Sequence, residues 1–322
     1  MSISTRCPVD RQSDRQSEEG GTMQHRYEKH RLLQAATATF AVVAALGLSA
    51  CGGGDDGGGG GSAASNGASS NGAPSGSASS STGIRVEGQS QSISSQISTV
   101  RILMPPASWN GGQMPNGNYT LRALSQPTAS LKEQAPGAYV AIPYDSSGTI
   151  KTLTKGTVTD LAGNGDIAIG RWADGADSAG ATYNANQGQV WAIGVPVAID
   201  TTSPLQMQCS LAFATRPTST DGNTAPGSLN GATATLTSGT DTFGHQAINY
   251  TLNLQYSIGS DQNQSFVGTS AIGLAELSSK TRSALMSTVM GTDAKQPYLV
   301  VSYGIPAATT GNINGLAALS CK

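Results

Sequence analysis

The clearest strand signal in the chain is Asn249-Tyr-Thr-Leu-Asn-Leu-Gln-Tyr256, in which polar and apolar side chains alternate. Successive side chains of a β-strand point to opposite faces, so the apolar residues share one face and the polar residues share the other. One buried face and one wet face are typical of an antiparallel sheet. We therefore predict that the packed interior of a sheet contains Tyr250, Leu252, Leu254 and Tyr256.

Similar signals recur from Ile84 to the C-terminus, separated by turn clusters such as Asp145-Ser-Ser-Gly148 and Gly163-Asn-Gly165. The pattern predicts an all-β fold, namely an antiparallel up-and-down β-barrel preceded by extra strands. One segment differs, because its apolar residues recur at helical spacing. There we predict one short amphipathic helix from Leu274, Leu277, Thr281, Ala284, Leu285 and Val289.

The composition restricts the class of protein. The 322 residues contain 18 Lys and Arg against 20 Asp and Glu, so the chain lacks the positive charge that attracts nucleic acid. Charged residues make up only 12% and aromatic residues 5%, whereas there are 41 glycines. This profile suits an exported β-protein rather than a nucleic-acid-binding protein.

The N-terminal region has the pattern of a targeting segment. A basic cluster, Lys29-His-Arg31, precedes an apolar run from Leu32 to Leu48, and Met23 offers an alternative start. The run ends in Leu48-Ser-Ala-Cys51, which resembles the bacterial lipobox. The resemblance implies that residues 1–50 are a leader and signal peptide and that Cys51 carries lipid. An ordinary signal peptide with an incidental cysteine is the alternative.

Composition divides the remaining chain into three parts. Residues 51–83 form the lipid anchor and a tether rich in Gly and Ser, which cannot bury apolar area and is expected to be flexible. Residues 84–137 are a predicted N-terminal β extension, and residues 138–322 are the predicted barrel. Because Gly52 stands where an Asp would retain an enteric lipoprotein in the inner membrane, the outer membrane is the implied location.

The remaining cysteines predict a disulfide. Cys7 is lost with the leader and Cys51 is assigned to lipid, which leaves Cys209 and Cys321. In an oxidising compartment such a pair usually forms a disulfide. We expect these two residues to be joined, with separate buried thiols as the alternative.

Several short motifs resemble a known family. They run in order from Tyr144-Asp-Ser-Ser-Gly148 through Gly165-Asp-Ile-Ala-Ile-Gly-Arg-Trp172 and Gln189-Val-Trp-Ala-Ile-Gly-Val-Pro196 to Gly227-Ser-Leu-Asn-Gly-Ala232, Phe266-Val-Gly268 and Ile313-Asn-Gly-Leu-Ala317. Together they resemble the barrel domains of transferrin-binding-protein-B-like surface lipoproteins. The resemblance implies a lipid-anchored β-barrel. It does not imply a transferrin partner, because the chain has one barrel-like unit instead of two lobes.

The residues that usually carry catalysis are scarce. His245 is the only histidine after Cys51, and no G-x-S-x-G, S-x-x-K or H-E-x-x-H motif occurs. We interpret His245 as an exposed loop residue, and Asp160, Asn164 and Asp166 as turn residues rather than calcium ligands. No cofactor or metal site is predicted.

Large aromatic side chains are the remaining candidates for ligand contact. Trp172 and Trp191 fall within strand signals and are expected in the core, whereas Trp109 lies in a predicted loop and is the candidate for contact with a ligand. We expect Arg171 to pair with Asp174 or Asp177.

Two functions follow from these features. The first is a lipid-anchored, non-catalytic binding or structural module at the outer membrane, in contact with the membrane through its lipid and with a protein or small molecule as ligand. The second is an exported hydrolase that uses a pair of carboxylates. For a hydrolase, the available acids are Asp166, Asp174, Asp177 and Glu276.

Overall fold

A computed structural model describes residues 83–106, 123–201, 203–278 and 280–322. All of them belong to one of the two units into which the chain divides, Asn71–Lys322. Cys51 and Trp109 lie outside the described residues. Within these ranges the fold is built from strands and one 3-10 turn at Thr128–Ser130, which confirms the all-β prediction. No helix in the described ranges has the length and hydrophobicity needed to cross a membrane.

The first sheet contains nine strands from the N-terminal half of the described region. They are β1 (Ile84–Gly88), β2 (Thr99–Leu103), β3 (Leu124–Pro127), β4 (Lys132–Ala135), β5 (Ala138–Pro143), β6 (Ile150–Gly163), β7 (Ile167–Asp177), β8 (Thr182–Tyr183) and β9 (Gln189–Gly194). Their order is β3-β2-β9-β7-β6-β5-β4. The short strand β8 pairs with β7, and β1 runs parallel to β6 as the exception in an otherwise antiparallel sheet.

The second sheet contains the other nine strands. They are β10 (Gln206–Ala214), β11 (Thr218–Ser219), β12 (Ser228–Thr240), β13 (Gln246–Ile258), β14 (Asp261–Ala271), β15 (Ala275–Ser278), β16 (Ser283–Met290), β17 (Tyr298–Ala307) and β18 (Gly311–Cys321). The order β14-β13-β12-β10-β18-β17-β16-β15 is an up-and-down meander whose first long strand, β10, pairs with its last, β18. In the described residues, β14 and β15 end the order and do not pair with each other, so the curled sheet is open there.

The boundary between the sheets falls between β9 and β10. The boundary predicted between residues 137 and 138 does not separate the two sheets. The strands that follow it as far as β9 belong to the first sheet, together with the strands before it. Residues 138–322, predicted as one barrel, are therefore divided between two curled sheets, and the second sheet contains only β10 to β18.

The helix predicted near residues 274–290 is wrong, since this segment forms the β15–β16 hairpin. Its strands have little polar alternation: every residue of β16 except Val289 is buried. In β16, odd-numbered residues such as Leu285 face the interior of the second sheet. The even-numbered residues Ala284, Met286 and Met290 face the first sheet. With both faces covered, the apolar residues lose the period of two, and spacings of three and four residues appear by coincidence.

The core has three apolar layers, of which one joins the two sheets. The inner face of the first sheet encloses one layer, which contains Trp172 and Trp191. A second layer lies between the sheets, where Ile167 and Ile169 of β7 pack with Met286 of β16 and its neighbours. The third lies inside the second sheet.

This third layer confirms the central sequence prediction. All four residues of the alternating stretch are buried, at 4% exposure or less, against β17 and β18. The stretch that best predicted the fold class thus lines the interior of the second sheet, as its period of two requires.

Cys209 and Cys321 are joined by a disulfide, as the sequence analysis expects. They oppose each other in the β10–β18 ladder, and their neighbours Gln208 and Lys322 exchange backbone hydrogen bonds. The cysteines therefore occupy a non-hydrogen-bonded pair, where antiparallel strands come closest. This explains a Cα–Cα distance of 4.0 Å, slightly shorter than in most disulfides.

Candidate functional site

The two tryptophans that the structure describes are structural. Trp172 and Trp191 are fully buried, and the indole N–H of Trp172 donates to the carbonyl of Tyr139 at 2.8 Å. Trp191 meets the Tyr139 ring edge-on, with centroids 5.8 Å apart, and lies so close to Gly170 that a Cβ there would come within 2.4 Å of the indole. Their expected place in the core is confirmed.

His245 lies in the exposed turn between β12 and β13, as expected. Its side chain is 77% exposed, and Nδ1 lies 3.3 Å from Oδ2 of Asp241. The Asp241 carboxylate also accepts the backbone N–H groups of Phe243 and His245. Burial would raise the pKa of Asp241, but these hydrogen bonds and the nearby histidine lower it. The arrangement is that of an aspartate stabilising a hairpin turn.

Three of the four acids of the hydrolase hypothesis have separate side-chain partners. Asp166 accepts a hydrogen bond from Thr292, Asp174 pairs with Arg85, and Asp177 pairs with Lys151 at 3.6 Å. Glu276 lies in β15 opposite Leu285. None of these acids lines either of the two clefts described below.

Arg171 has a different partner from the one expected. Its Nε donates to Asp160 Oδ2 at 2.8 Å, so the predicted pairing with Asp174 or Asp177 is wrong. Arg216, in the segment between β10 and β11, approaches the same carboxylate with its Nε 2.6 Å from Oδ1. Asp160 lies within β6 and is not a turn residue, unlike Asn164, whose side chain accepts the N–H groups of Asp166 and Ile167. The sequence does not reveal that Asp160 binds both arginines, because Arg216 lies 56 residues from Asp160.

Lys151 is a second buried charge in the first sheet. Its Nζ lies 3.6 Å from Asp177, 3.5 Å from the side-chain oxygen of Gln189 and 5.1 Å from the centroid of the Tyr144 ring. Burial lowers the pKa of Lys151, and the charge of Asp177 opposes that shift. Because the amine and the carboxylate neutralise each other, we assign this pair to the structure of the sheet.

The first of two clefts, which we call the intersheet cleft, lies where the sheets meet. Its volume is about 360 Å³. One wall comes from β2 and β3 of the first sheet and the other from Thr288 of β16. The residues that line it are Arg101, Ala123, Leu124, Ser125, Gln126, Ser146, Gly273 and Thr288. The lining is thus largely polar and contains one charged side chain, Arg101.

The second cleft, which we call the mouth cleft, lies at one end of the second sheet and has a volume of about 290 Å³. Its lining joins the start of β13, the turn after β14 and the end of β16. The larger apolar side chains are Ile199, Ile248, Ile272, Leu274 and Val289, and the polar ones are Thr201, Asp241 and Gln246. Gly273 also lines this cleft, so the two clefts meet at the turn between β14 and β15.

Strand alternation explains why the clefts adjoin. Thr288 and Val289 are consecutive in β16, so they point to opposite faces, one into the intersheet cleft and the other into the mouth cleft. Gly273 has a φ of +84°, which favours glycine, and a Cβ there would meet no atom within 4 Å. The Gly273 N–H donates to the carbonyl of Ser287 at 3.2 Å, so this turn is tied to β16 where the clefts adjoin.

Buried hydroxyl groups lie deeper in the second sheet. Tyr250 and Ser287 come two residues after Ile248 and two before Val289, on the same inward faces. Neither the Tyr250 hydroxyl nor the Ser287 Oγ has a hydrogen-bond partner in the structure. Burial raises the pKa of Tyr250 to about 12, although Ser287 and Ser270 act to lower it. The phenol is therefore neutral at physiological pH.

Sequence reasoning missed Arg101 as a site residue. Arg101 lies in β2 between the buried residues Val100 and Ile102, and several of the side chains that surround it come from distant parts of the chain. Among the described residues no group of three or more His, Cys, Asp or Glu side chains could hold a metal ion. The chain matches no known family model, no curated protein and no solved structure.

Proposed function

We propose that this chain is a lipid-anchored outer-membrane lipoprotein whose β-rich unit acts as a non-catalytic binding or structural module. The observation that carries the proposal is Leu48-Ser-Ala-Cys51 at the end of an apolar run. Small residues directly before a cysteine are what a lipoprotein signal peptidase requires. The Gly- and Ser-rich segment that follows would keep the β-rich unit away from the lipid surface.

The disulfide supports export. Disulfides persist in oxidising compartments such as the periplasm or the cell surface and are rare in the bacterial cytosol. Cys209 and Cys321 are 112 residues apart and join the first and last long strands of the second sheet. The resemblance to transferrin-binding-protein-B-like barrels agrees with this location and remains a prediction.

The clefts support a binding role. The larger one falls within the usual volume range of small-ligand pockets, about 300–1,000 Å³, and the other lies just below it. The lining offers hydroxyl, amide and guanidinium groups beside apolar surface. Such surfaces orient a ligand without needing a nucleophile or a general base.

Metabolic labelling with an alkyne fatty acid tests the anchor. We expect the wild-type chain to take up the label and to fractionate with the outer membrane, and Cys51→Ala to remain unlabelled. Cys7→Ala is the matched control, since it removes a cysteine of the leader and should leave labelling unchanged. An unlabelled wild-type chain, or equal labelling of Cys51→Ala, would contradict the proposal.

A further inference from the structure

Arg101 is a partly buried cation that no acidic side chain of the described residues neutralises. Its neighbours Val100 and Ile102 pack into the inner face of the first sheet, so Arg101 points to the opposite face, toward the second sheet. Its Nε is buried and has no hydrogen-bond partner. None of the ion pairs among the described residues includes Arg101. A buried charged donor without a partner costs free energy, which a ligand can recover.

The surroundings of Arg101 favour an anion. The polar neighbours in the intersheet cleft are Ser125, Gln126, Ser146 and Thr288, which are neutral. No acidic side chain of the described residues lines the cleft. One guanidinium matches one carboxylate, because its planar fork donates two parallel hydrogen bonds and neutralises a single charge.

The adjoining mouth cleft favours an apolar group next to that anion. Its larger side chains include Ile199, Ile272 and Leu274, and it meets the intersheet cleft at Gly273. Gly273 is exposed and lines both clefts, so a molecule whose anionic end lies against Arg101 would reach the mouth cleft with its apolar end by passing over this turn. Burying an apolar chain there adds affinity that a small free anion cannot gain.

We propose that the two clefts together bind a monocarboxylate with an aliphatic chain, with the carboxylate on Arg101 and the chain in the mouth cleft. This inference rests on the proposed binding role and names its ligand class. The two proposals fail separately, because labelling of Cys51 does not depend on either cleft. A labelled chain that does not bind the carboxylate would overturn this inference alone.

Equilibrium dialysis of radiolabelled octanoate against the full chain in phosphatidylcholine vesicles tests the role of Arg101, with protein-free vesicles as the background. We expect Arg101→Gln to weaken octanoate binding at least tenfold and Arg101→Lys to weaken it less, since lysine keeps the charge but lacks the fork. Arg85→Gln is the matched control, because Arg85 is an exposed arginine of the same sheet paired with Asp174. Equal binding by wild type and Arg101→Gln would overturn the proposal.

The chain length of the ligand tests the mouth cleft. Each further buried methylene is expected to raise affinity about fourfold, so octanoate should bind much more tightly than butyrate. Leu274→Ala should reduce this advantage and leave butyrate binding unchanged. Affinity that does not vary with chain length would overturn the proposal, as would octyl phosphate binding as tightly as octanoate.

Thermal unfolding without ligand separates binding from a structural role. Arg101→Gln removes an unpartnered charge, so its unfolding temperature should equal or exceed that of the wild type. Octanoate should raise the unfolding temperature of the wild type and not that of the variant. A lower unfolding temperature for the ligand-free variant would assign Arg101 to the structure and overturn the proposal.

Discussion

Asp160 shows how one buried carboxylate can bind two arginines, one in β7 and one in the connection between β10 and β11. Its side chain is 5% exposed and accepts hydrogen bonds from the Nε atoms of Arg171 and Arg216 and from the backbone N–H of Arg216. Arg171 is also fully buried and donates to the carbonyl of Gln187. Because both charges of the Asp160–Arg171 pair are removed from water, loss of one leaves the other uncompensated.

We predict that Asp160→Asn lowers the free energy of unfolding by about 3 kcal/mol, measured by urea denaturation. The matched control is Asp174→Asn. Both aspartates have a positive φ and an arginine nitrogen at 2.8 Å, but the pair of Asp174 with Arg85 is more than half exposed. The control should lose less than about 1 kcal/mol. Equal losses would show that burial does not determine the strength of these pairs.

At the scale of elements, the first residue of β14, Asp261, accepts hydrogen bonds from the turn between β17 and β18. The carboxylate of Asp261, which is 3% exposed, accepts the N–H of Thr310 at 2.8 Å and that of Thr309 at 3.0 Å. Burial would raise the pKa of Asp261, but the hydrogen bonds from Thr310 and Thr309 outweigh it and lower the pKa. The carboxylate thus supplies acceptors to a turn 48 residues away.

This contact predicts a pH dependence. The pKa of Asp261 is lower in the folded than in the unfolded chain. The ionised carboxylate therefore contributes to the free energy of unfolding above about pH 4, and this contribution is lost as pH falls through the folded pKa. Asp261→Asn should cost about 1–2 kcal/mol at pH 7, and the difference from wild type should shrink below about pH 4. Urea unfolding at pH 7 and pH 3 measures both values.

The control for this prediction is Asp293→Asn, which affects an exposed turn aspartate that accepts the N–H of Lys295. It should cost less than half as much as Asp261→Asn at pH 7. A loss for Asp261→Asn that stays the same at pH 3 would contradict the role given to the carboxylate.

At the scale of the whole molecule, the disulfide links the first and last long strands of the second sheet in chain order, β10 and β18. β10 and β18 pair directly, and the bridge lies at the last residues of that ladder. The covalent link restricts the unfolded chain over 112 residues, and the stabilisation from such a restriction grows slowly with loop length.

We predict that Cys321→Ser lowers the free energy of unfolding by up to about 4 kcal/mol. Reduction of the wild type should cause the same loss, whereas reduction should not affect Cys321→Ser. Denaturant unfolding with and without reductant provides the measurement, and Cys7→Ser serves as the control, because the bridge joins Cys209 and Cys321. Native thiols at Cys209 and Cys321 that react with maleimide without reduction would contradict the prediction.

The fold was predictable where one face of a strand is wet. The alternating stretch around Leu252 gave the all-β class and the inward face, because burial on one side leaves a period of two in the sequence. The β15–β16 hairpin was not predictable, because two covering layers remove that period. For the same reason the sequence could not locate the boundary between the sheets, since β7, β9, β17 and β18 are also buried on both faces.

The sequence by itself determined local properties: the strand periodicity, the absence of the common catalytic motifs, the lipobox-like segment before Cys51 and the two cysteines left for a bridge. Only the tertiary structure decided that Asp160 accepts hydrogen bonds from two arginines and that Arg101 lines the intersheet cleft with no acidic partner among the described residues. These features join residues that lie tens to hundreds of positions apart. Charge pairing and burial depend on distance in space, which strand order and register set and which local sequence does not encode.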